Sequence, residues 1–252
     1  MTDYQNLLAA AVQAAEAAGA VLLKHQSDFS VLHDRGKDLK SAADLACEQT
    51  IFEILDATAI PVLSEETRQN AELLNAERVW IVDPLDGTVN YTRGLPLFCV
   101  SIGLWESGQP KLGVIHEPVR HVTWSGIVGE GATRNGVTMH TAQGSDPGQS
   151  VLSTGFPTGR SYDADDLSRF IESVRRFKKI RCIGSAALSL AYIADGTVDA
   201  YSEEDIWIWD VAAGIALVLA AGGAAEWSAW SSELKSRVVA TNGKLSPREF
   251  DR

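Results

Sequence analysis

Residues 78–96, RVWIVDPLDGTVNYTRGLP, decide how the rest of the chain is to be read. The apolar run Val79, Trp80, Ile81, Val82 has the character of a buried strand, and Asp83 stands at its carboxyl end, where α/β folds commonly bind ligands. Pro84 fixes φ and lacks an N–H, so it turns the chain out of the sheet and lets Asp86 fold back toward Asp83. Two carboxylates held close repel one another unless a cation or a proton lies between them. No His or Cys accompanies them, and an oxygen-only ligand set selects a hard cation, Mg²⁺ in preference to zinc. Gly87 and Thr88 then offer backbone N–H groups at a turn, a cradle for an anion. Acids that hold a cation beside amides that hold an anion describe a phosphate site. An Asp-Gly pair alone reads as a surface turn; the whole string Asp-Pro-Leu-Asp-Gly-Thr after an apolar strand favours the site.

Two further acidic positions point the same way. VLSEET ends a second short apolar run on Glu65 and Glu66. IWIWDVAAG places Asp210 at a helix start, where it either caps the helix or turns its carboxylate to a metal. Ala212, Ala213 and Gly214 leave room for close packing behind it. A phosphatase of the haloacid dehalogenase type also places two acids, Gly and Thr after a strand. Its acids are separated by one residue near the N-terminus, whereas here two residues intervene and about 80 precede, so the spacing rejects that class.

Working outward, the periodicity predicts helices over 3–24 and about 41–56, the second with Leu45, Ile51, Ile54 and Leu55 on one face. Short strands are expected at IPVLS and VWIVD, then a meander of three apolar runs separated by ESGQP and EPVRH. Residues 141–150, TAQGSDPGQS, mark a joint between an N-terminal half (about 1–145) and a C-terminal half (about 146–252) of one domain spanning 1–252. The second half alternates: strand VLSTGF, helix 163–177, strand IRCIG, helix 185–195, strand VDAYS, helix 210–221, strand RVVAT. That rhythm predicts α/β layering.

The 252 residues, 45% hydrophobic and 22% charged, suit a soluble globular protein. The Ala-rich start carries Gln13 and Glu16 at helical spacing, which predicts an amphipathic helix rather than a membrane span. Asp3 argues against a signal peptide. A cytoplasmic protein without a membrane partner is expected. Cys47, Cys99 and Cys182 form no Cys-x-x-Cys pair and are expected to be buried free thiols. A formal net charge of −11, relieved by no basic or aromatic stripe, predicts no nucleic-acid partner. The same charge repels an anionic substrate unless cations are recruited.

With these residues in hand, the chain resembles the inositol monophosphatase family of Mg²⁺-dependent, lithium-sensitive phosphatases. The likeness covers nearly the whole chain: the Asp44 region, SEET, DPLDGTVNYTRGLP, GEGATRNG, RCIGSAALSLAYIADGTVDAY and WDVAAG…AGG occur in family order. The resemblance implies a layered αβαβα sandwich of the inositol monophosphatase and fructose-1,6-bisphosphatase type, usually a homodimer, with two or three Mg²⁺ per site. By the same resemblance Glu65, Asp83 and the Leu85 carbonyl hold the first metal, and Asp83, Asp86 and Asp210 the second, with Glu65 serving a third. Glu65 and Thr88 position the attacking water, with Asp44 behind them. Gly87 and Thr88 amides receive phosphate, and Ser185, Ala186 and Glu203 face the alcohol. The implied substrate is a small phosphorylated metabolite, of the inositol-1-phosphate kind. Fructose bisphosphate, histidinol phosphate and a phosphoadenosine nucleotide are the alternatives that keep this chemistry, and a metal-binding scaffold without turnover is the alternative that abandons it. The chain departs from the family pattern at Ser64 (usually Gly), at Asp205 and Trp207, and at Ser185 (often Thr). By the resemblance, these departures touch the alcohol side.

Overall fold

The N-terminal helix α1 (Asp3–Asp28) buries Leu7, Ala11, Ala14, Ala15, Ala18 and Leu22, a stripe at three- and four-residue spacing. The computed structural model describes residues 3–28, 39–156 and 163–250. Among them α1 is long and apolar enough to cross a membrane by length and composition, but its apolar stripe is covered by α2 (Leu39–Leu55) and by the first sheet. In α2 the buried line is Ala43, Cys47, Ile51 and Leu55, repeating every four residues. Leu45, expected on that face, is off it and 44% exposed: two residues from Ala43 is more than half a turn.

A seven-stranded sheet follows in chain order: β1 (Val62–Ser64), β2 (Arg78–Asp86), β3 (Cys99–Glu106), β4 (Gln109–Glu117), β5 (Val122–Ile127), β6 (Gly131–Arg134) and β7 (Val137–Met139). β1 and β2 are parallel, with Val62 opposite Trp80; every later pair is antiparallel. The central strands are buried almost throughout because both faces are covered. Between β2 and β3 lies the short helix α3 (Thr88–Thr92).

Residues 140–150 lead from β7 to a second sheet. Its five strands, β8 (Val151–Ser153), β9 (Lys179–Arg181), β10 (Ala200–Trp207), β11 (Ala224–Trp227) and β12 (Lys235–Thr241), lie in the order β11-β12-β10-β8-β9. The helices of this half are α4 (Ala164–Arg176), α5 (Ala186–Ala194) and α6 (Ile208–Ala220).

The two sheets sandwich α5 and α6, whose residues are buried on all sides, as a helix between two sheets requires. Helices α1 and α2 cover the far face of the first sheet, and α4 lies beside β9 of the second. The architecture is a layered αβαβα sandwich. The approach of α6 to the first sheet is unusually close: a Cβ on Gly113 would stand 2.2 Å from the Ala213 carbonyl oxygen. Only a glycine permits that contact.

Candidate active site

The site begins with an irregularity in β2. Asp83 pairs with Ser101 and Asp86 with Cys99, so three steps along β2 match two along β3. Residues three apart on a regular strand point to opposite faces; one extra residue restores their parity. The bulge therefore brings Asp83 and Asp86 to the same side, and Pro84 sits where a strand tolerates a missing donor. The Asp83 Oδ1 accepts from the Leu85 amide at 2.9 Å, and the Pro84 carbonyl accepts from the buried Cys47 thiol.

Asp210 arrives from the other side of the layer. The N-cap of α6 is Trp207, so Asp210 is the third helical residue and not the cap. Its carboxylate turns to Asp83 instead. One oxygen from each of Asp83, Asp86 and Asp210 lies within 4.8 Å of the others.

Asp86 is also held from α5. Its Oδ2 accepts from the Ser185 hydroxyl and from the Ala187 amide at 2.8 Å. Ser185 is the N-cap of α5 and accepts in turn from the Leu188 amide at 3.1 Å. Its hydrogen thus serves Asp86, and the Ala186 amide is directed at the same carboxylate. The Cys99 thiol stands 3.8 Å from that oxygen.

Burial and mutual repulsion dominate the electrostatics. Burial first, then the charges of Glu65, Asp86 and Asp210, push Asp83 well above the ordinary carboxylate range. Asp210 is pushed up by burial and by Asp86, Glu65 and Glu203. Asp86 rises to about 6 through burial, against the opposing donors Ser185, Ala187 and Ala186. Three converging carboxylates, Asp83 and Asp86 buried and Asp210 partly so, call for a cation or for protons, and an all-oxygen donor set fits a hard divalent ion.

Of the remaining sequence-predicted residues, Glu65 and Glu203 carry charges that act on this cluster. Glu65 follows β1, with its amide bonded to the Val82 carbonyl at 3.2 Å, which places its charge beside Asp83. Thr88 opens α3, and its hydroxyl donates to the Leu85 carbonyl at 3.3 Å. Gly87 is the α3 N-cap at φ +92°, packed so that a Cβ would meet the Leu97 carbonyl at 2.8 Å. Asp44, buried in α2, acts on the Cys47 thiol together with Asp83 and Glu48. Glu203 lies on β10 just before a register shift, where Asp205 takes the left-handed conformation at φ +56° that Asp tolerates better than most residues. The Tyr201 hydroxyl donates to Glu203 at 2.9 Å, the Glu203 carboxylate presses on Gly155, and burial raises its pKa to about 7. Trp207 stacks on Trp209 with ring centroids 4.9 Å apart, and the Lys235 ammonium lies over the Trp207 ring, 4.3 Å from its centroid. Cys182 is exposed, unlike Cys47 and Cys99, because it lies in the segment between β9 and α5.

Two supporting residues escaped the sequence reading. Asn90 on α3 donates to the carbonyls of Leu97, Ile183 and Gly184, tying α3 to the start of α5. Glu48 on α2 accepts from Ser64 and Thr67 on either side of Glu65. Asn90 sits inside the quoted motif, and Glu48 lies one helical turn after Asp44; those placements were the available signals.

The model of the family described as "Inositol monophosphatase family" matches residues 3–248. A protein of Xylella fastidiosa named Nus factor SuhB is 41% identical over 219 residues, 84% of this chain and 78% of that one. An inositol-1-monophosphatase of Synechocystis is 34% identical over 251 residues, 97% and 87% of the two chains. The solved inositol monophosphatase from Anabaena aligns with a TM-score of 0.84 at 37% identity, covering 96% of this chain and 93% of that one.

Proposed function

The chain belongs to the inositol monophosphatase family of phosphatases, and from that premise we propose that it is a Mg²⁺-dependent phosphomonoesterase of a small polyol or sugar phosphate, of the inositol-1-phosphate kind. One observation carries the reading: Asp83, Asp86 and Asp210, from a strand bulge and a helix in different parts of the chain, converge within 4.8 Å. In this reading those three, with Glu65 and the Leu85 carbonyl, hold two or three Mg²⁺. The bound metal lowers the pKa of water and neutralises charge on the phosphate and the departing alkoxide.

The chain's own groups do the positioning. The Thr88 hydroxyl donates to the Leu85 carbonyl, which leaves its oxygen to accept a hydrogen bond from the attacking water. Glu65 takes the water's other hydrogen bond. The amides of Gly87 and Thr88, at a helix start and without intrahelical acceptors, receive the phosphate. Ser185 and Ala186 border the alcohol, and the half-buried Glu203 accepts from a substrate hydroxyl. Water attacks phosphorus directly, with no phosphoenzyme: the new P–O bond forms as the P–O bond to the alcohol breaks, and the proton lost by the water ends on the departing alkoxide. The net charge of −11 then poses no obstacle, since the acids bind cations and the cations bind phosphate. A homodimeric cytoplasmic enzyme sensitive to lithium completes the reading.

A panel of phosphate esters at fixed Mg²⁺ tests it: inositol 1-phosphate, fructose 1,6-bisphosphate, histidinol phosphate and a 3′-phosphoadenosine nucleotide. Fastest release from inositol 1-phosphate is expected. The 41% identity to a protein named Nus factor SuhB supports a second reading, a metal-binding scaffold that keeps the fold without turnover. That reading predicts Mg²⁺ binding with no phosphate release from any ester.

A further inference from the structure

One side of α2 grips the segment that carries Glu65. Residues 44, 48, 52 and 56 recur every four positions, so they stack along α2 and the 3-10 turn that extends it (Asp56–Thr58). Asp44 acts on the Cys47 thiol, as Asp83 does; the next three hold the chain at and after the end of β1. The Glu48 Oε1 accepts from the Ser64 hydroxyl and from the Thr67 amide at 3.2 Å, while its Oε2 accepts from the Thr67 hydroxyl at 2.7 Å. One turn further, the Arg68 guanidinium lies 3.7 Å from the centre of the Phe52 ring and makes paired bonds of 2.9 and 3.0 Å to Asp56. Ser64, Thr67 and Arg68, the residues flanking Glu65 and Glu66, are therefore all tied to one helix.

The two anchors differ in weight. The Arg68–Asp56 pair has side chains 38% and 52% exposed, so solvent screens it and its contribution is small. Glu48 is 2% exposed. A buried carboxylate is tolerated only when its lone pairs are met, and three donors from segment 64–67 meet them. Three donors converging on one buried acceptor group select a single arrangement of the segment.

We propose that Glu48 is a positioning residue: it fixes segment 64–68 so that the Glu65 carboxylate stands beside Asp83, Asp86 and Asp210. The inference rests on Glu65 being a metal- and water-binding group, as proposed above.

The test is calorimetric titration of Mg²⁺ into metal-free protein, with phosphate-release kinetics alongside. Glu48→Ala is expected to weaken Mg²⁺ binding by roughly 10- to 100-fold, the usual range for a residue that supports a ligand from behind. KM for the ester at saturating Mg²⁺ should be unchanged. Thr67→Val, which removes one hydroxyl, and Glu48→Gln, which keeps one acceptor, should fall between Glu48→Ala and wild type; they carry the test if Glu48→Ala does not fold. Because Glu48 acts through Glu65, Glu48→Ala should add no further loss to Glu65→Gln. Wild-type Mg²⁺ affinity in the Glu48 and Thr67 variants, with Glu65→Gln weakened, overturns the positioning role alone. Additive losses in the double variant also overturn it. An unweakened Glu65→Gln instead overturns the reading of Glu65 on which the inference stands.

Discussion

The Thr88 hydroxyl bonds the Leu85 carbonyl at 3.3 Å, and that bond gives the side chain either a chemical role or only a turn-forming one. If Thr88 orients the water, Thr88→Ala should lower kcat by ~10²-fold or more while KM and melting temperature stay close to wild type. A protein that melts early and turns over normally would assign Thr88 to the turn alone. Asp86 makes a second prediction at this scale. Folding raises its pKa from an ordinary 3.8 to about 6, so the metal-free native state keeps a proton that the unfolded chain has lost. This contribution is fully present below about pH 4 and is lost as pH rises through about 6. With chelator present, the melting temperature should fall across that window, and Asp86→Asn should flatten the fall. A slope shared by wild type and Asp86→Asn would contradict it. The residues of the motif itself were legible in the sequence because Asp83, Asp86, Gly87 and Thr88 act within six positions of one another. The partner of Ser185 was not: its hydrogen goes to Asp86, 99 residues away, and only the fold sets that distance.

At the scale of elements, the site depends on how tightly α6 lies on the first sheet, because α6 carries Asp210. Gly113→Ala would bring a methyl 2.2 Å from a backbone oxygen, and neither strand nor helix can yield by side-chain rotation. Overpacking of this kind costs ~1–3 kcal/mol or more. The expected outcome is a lowered melting temperature together with weaker Mg²⁺ binding, since α6 must lift. Thermal melting and calorimetry on the same sample check it, and unchanged Mg²⁺ affinity in a destabilised protein would show that the Asp210 placement does not depend on this contact. The sequence showed the long periodic helices well and the sheet edges poorly. Strands β6 and β7 passed unread, although Asn135-Gly136 between them is a strong hairpin signal and both residues take positive φ, 49° and 77°. The strand expected at VLSTGF ends at Ser153, and β10 runs on past Ser202 to Trp207 through its bulge. Pairing partners decide such ends, and periodicity alone does not name them.

For the whole molecule, a seven-stranded sheet and a five-stranded sheet enclose two apolar helices, and the acidic cluster forms where the β2 bulge meets the starts of α5 and α6. The alternation of strand and helix in the second half already implied layering. The division of strands between two sheets was not legible, because the buried runs of β2, β3 and β4 fit either. The Ala-rich start is the amphipathic helix its spacing predicts, with its small residues in the core beneath the first sheet. The central claim is that carboxylates gathered from separate parts of this fold hold the metal that makes it a phosphatase. Phosphate release from inositol 1-phosphate across a Mg²⁺ titration, on wild type and Asp210→Asn, tests that claim most directly. The account predicts Mg²⁺-dependent turnover in wild type and a loss of at least ~10²-fold in a folded Asp210→Asn, a change on the order of 3 kcal/mol. Near wild-type turnover by Asp210→Asn at saturating Mg²⁺ would contradict it.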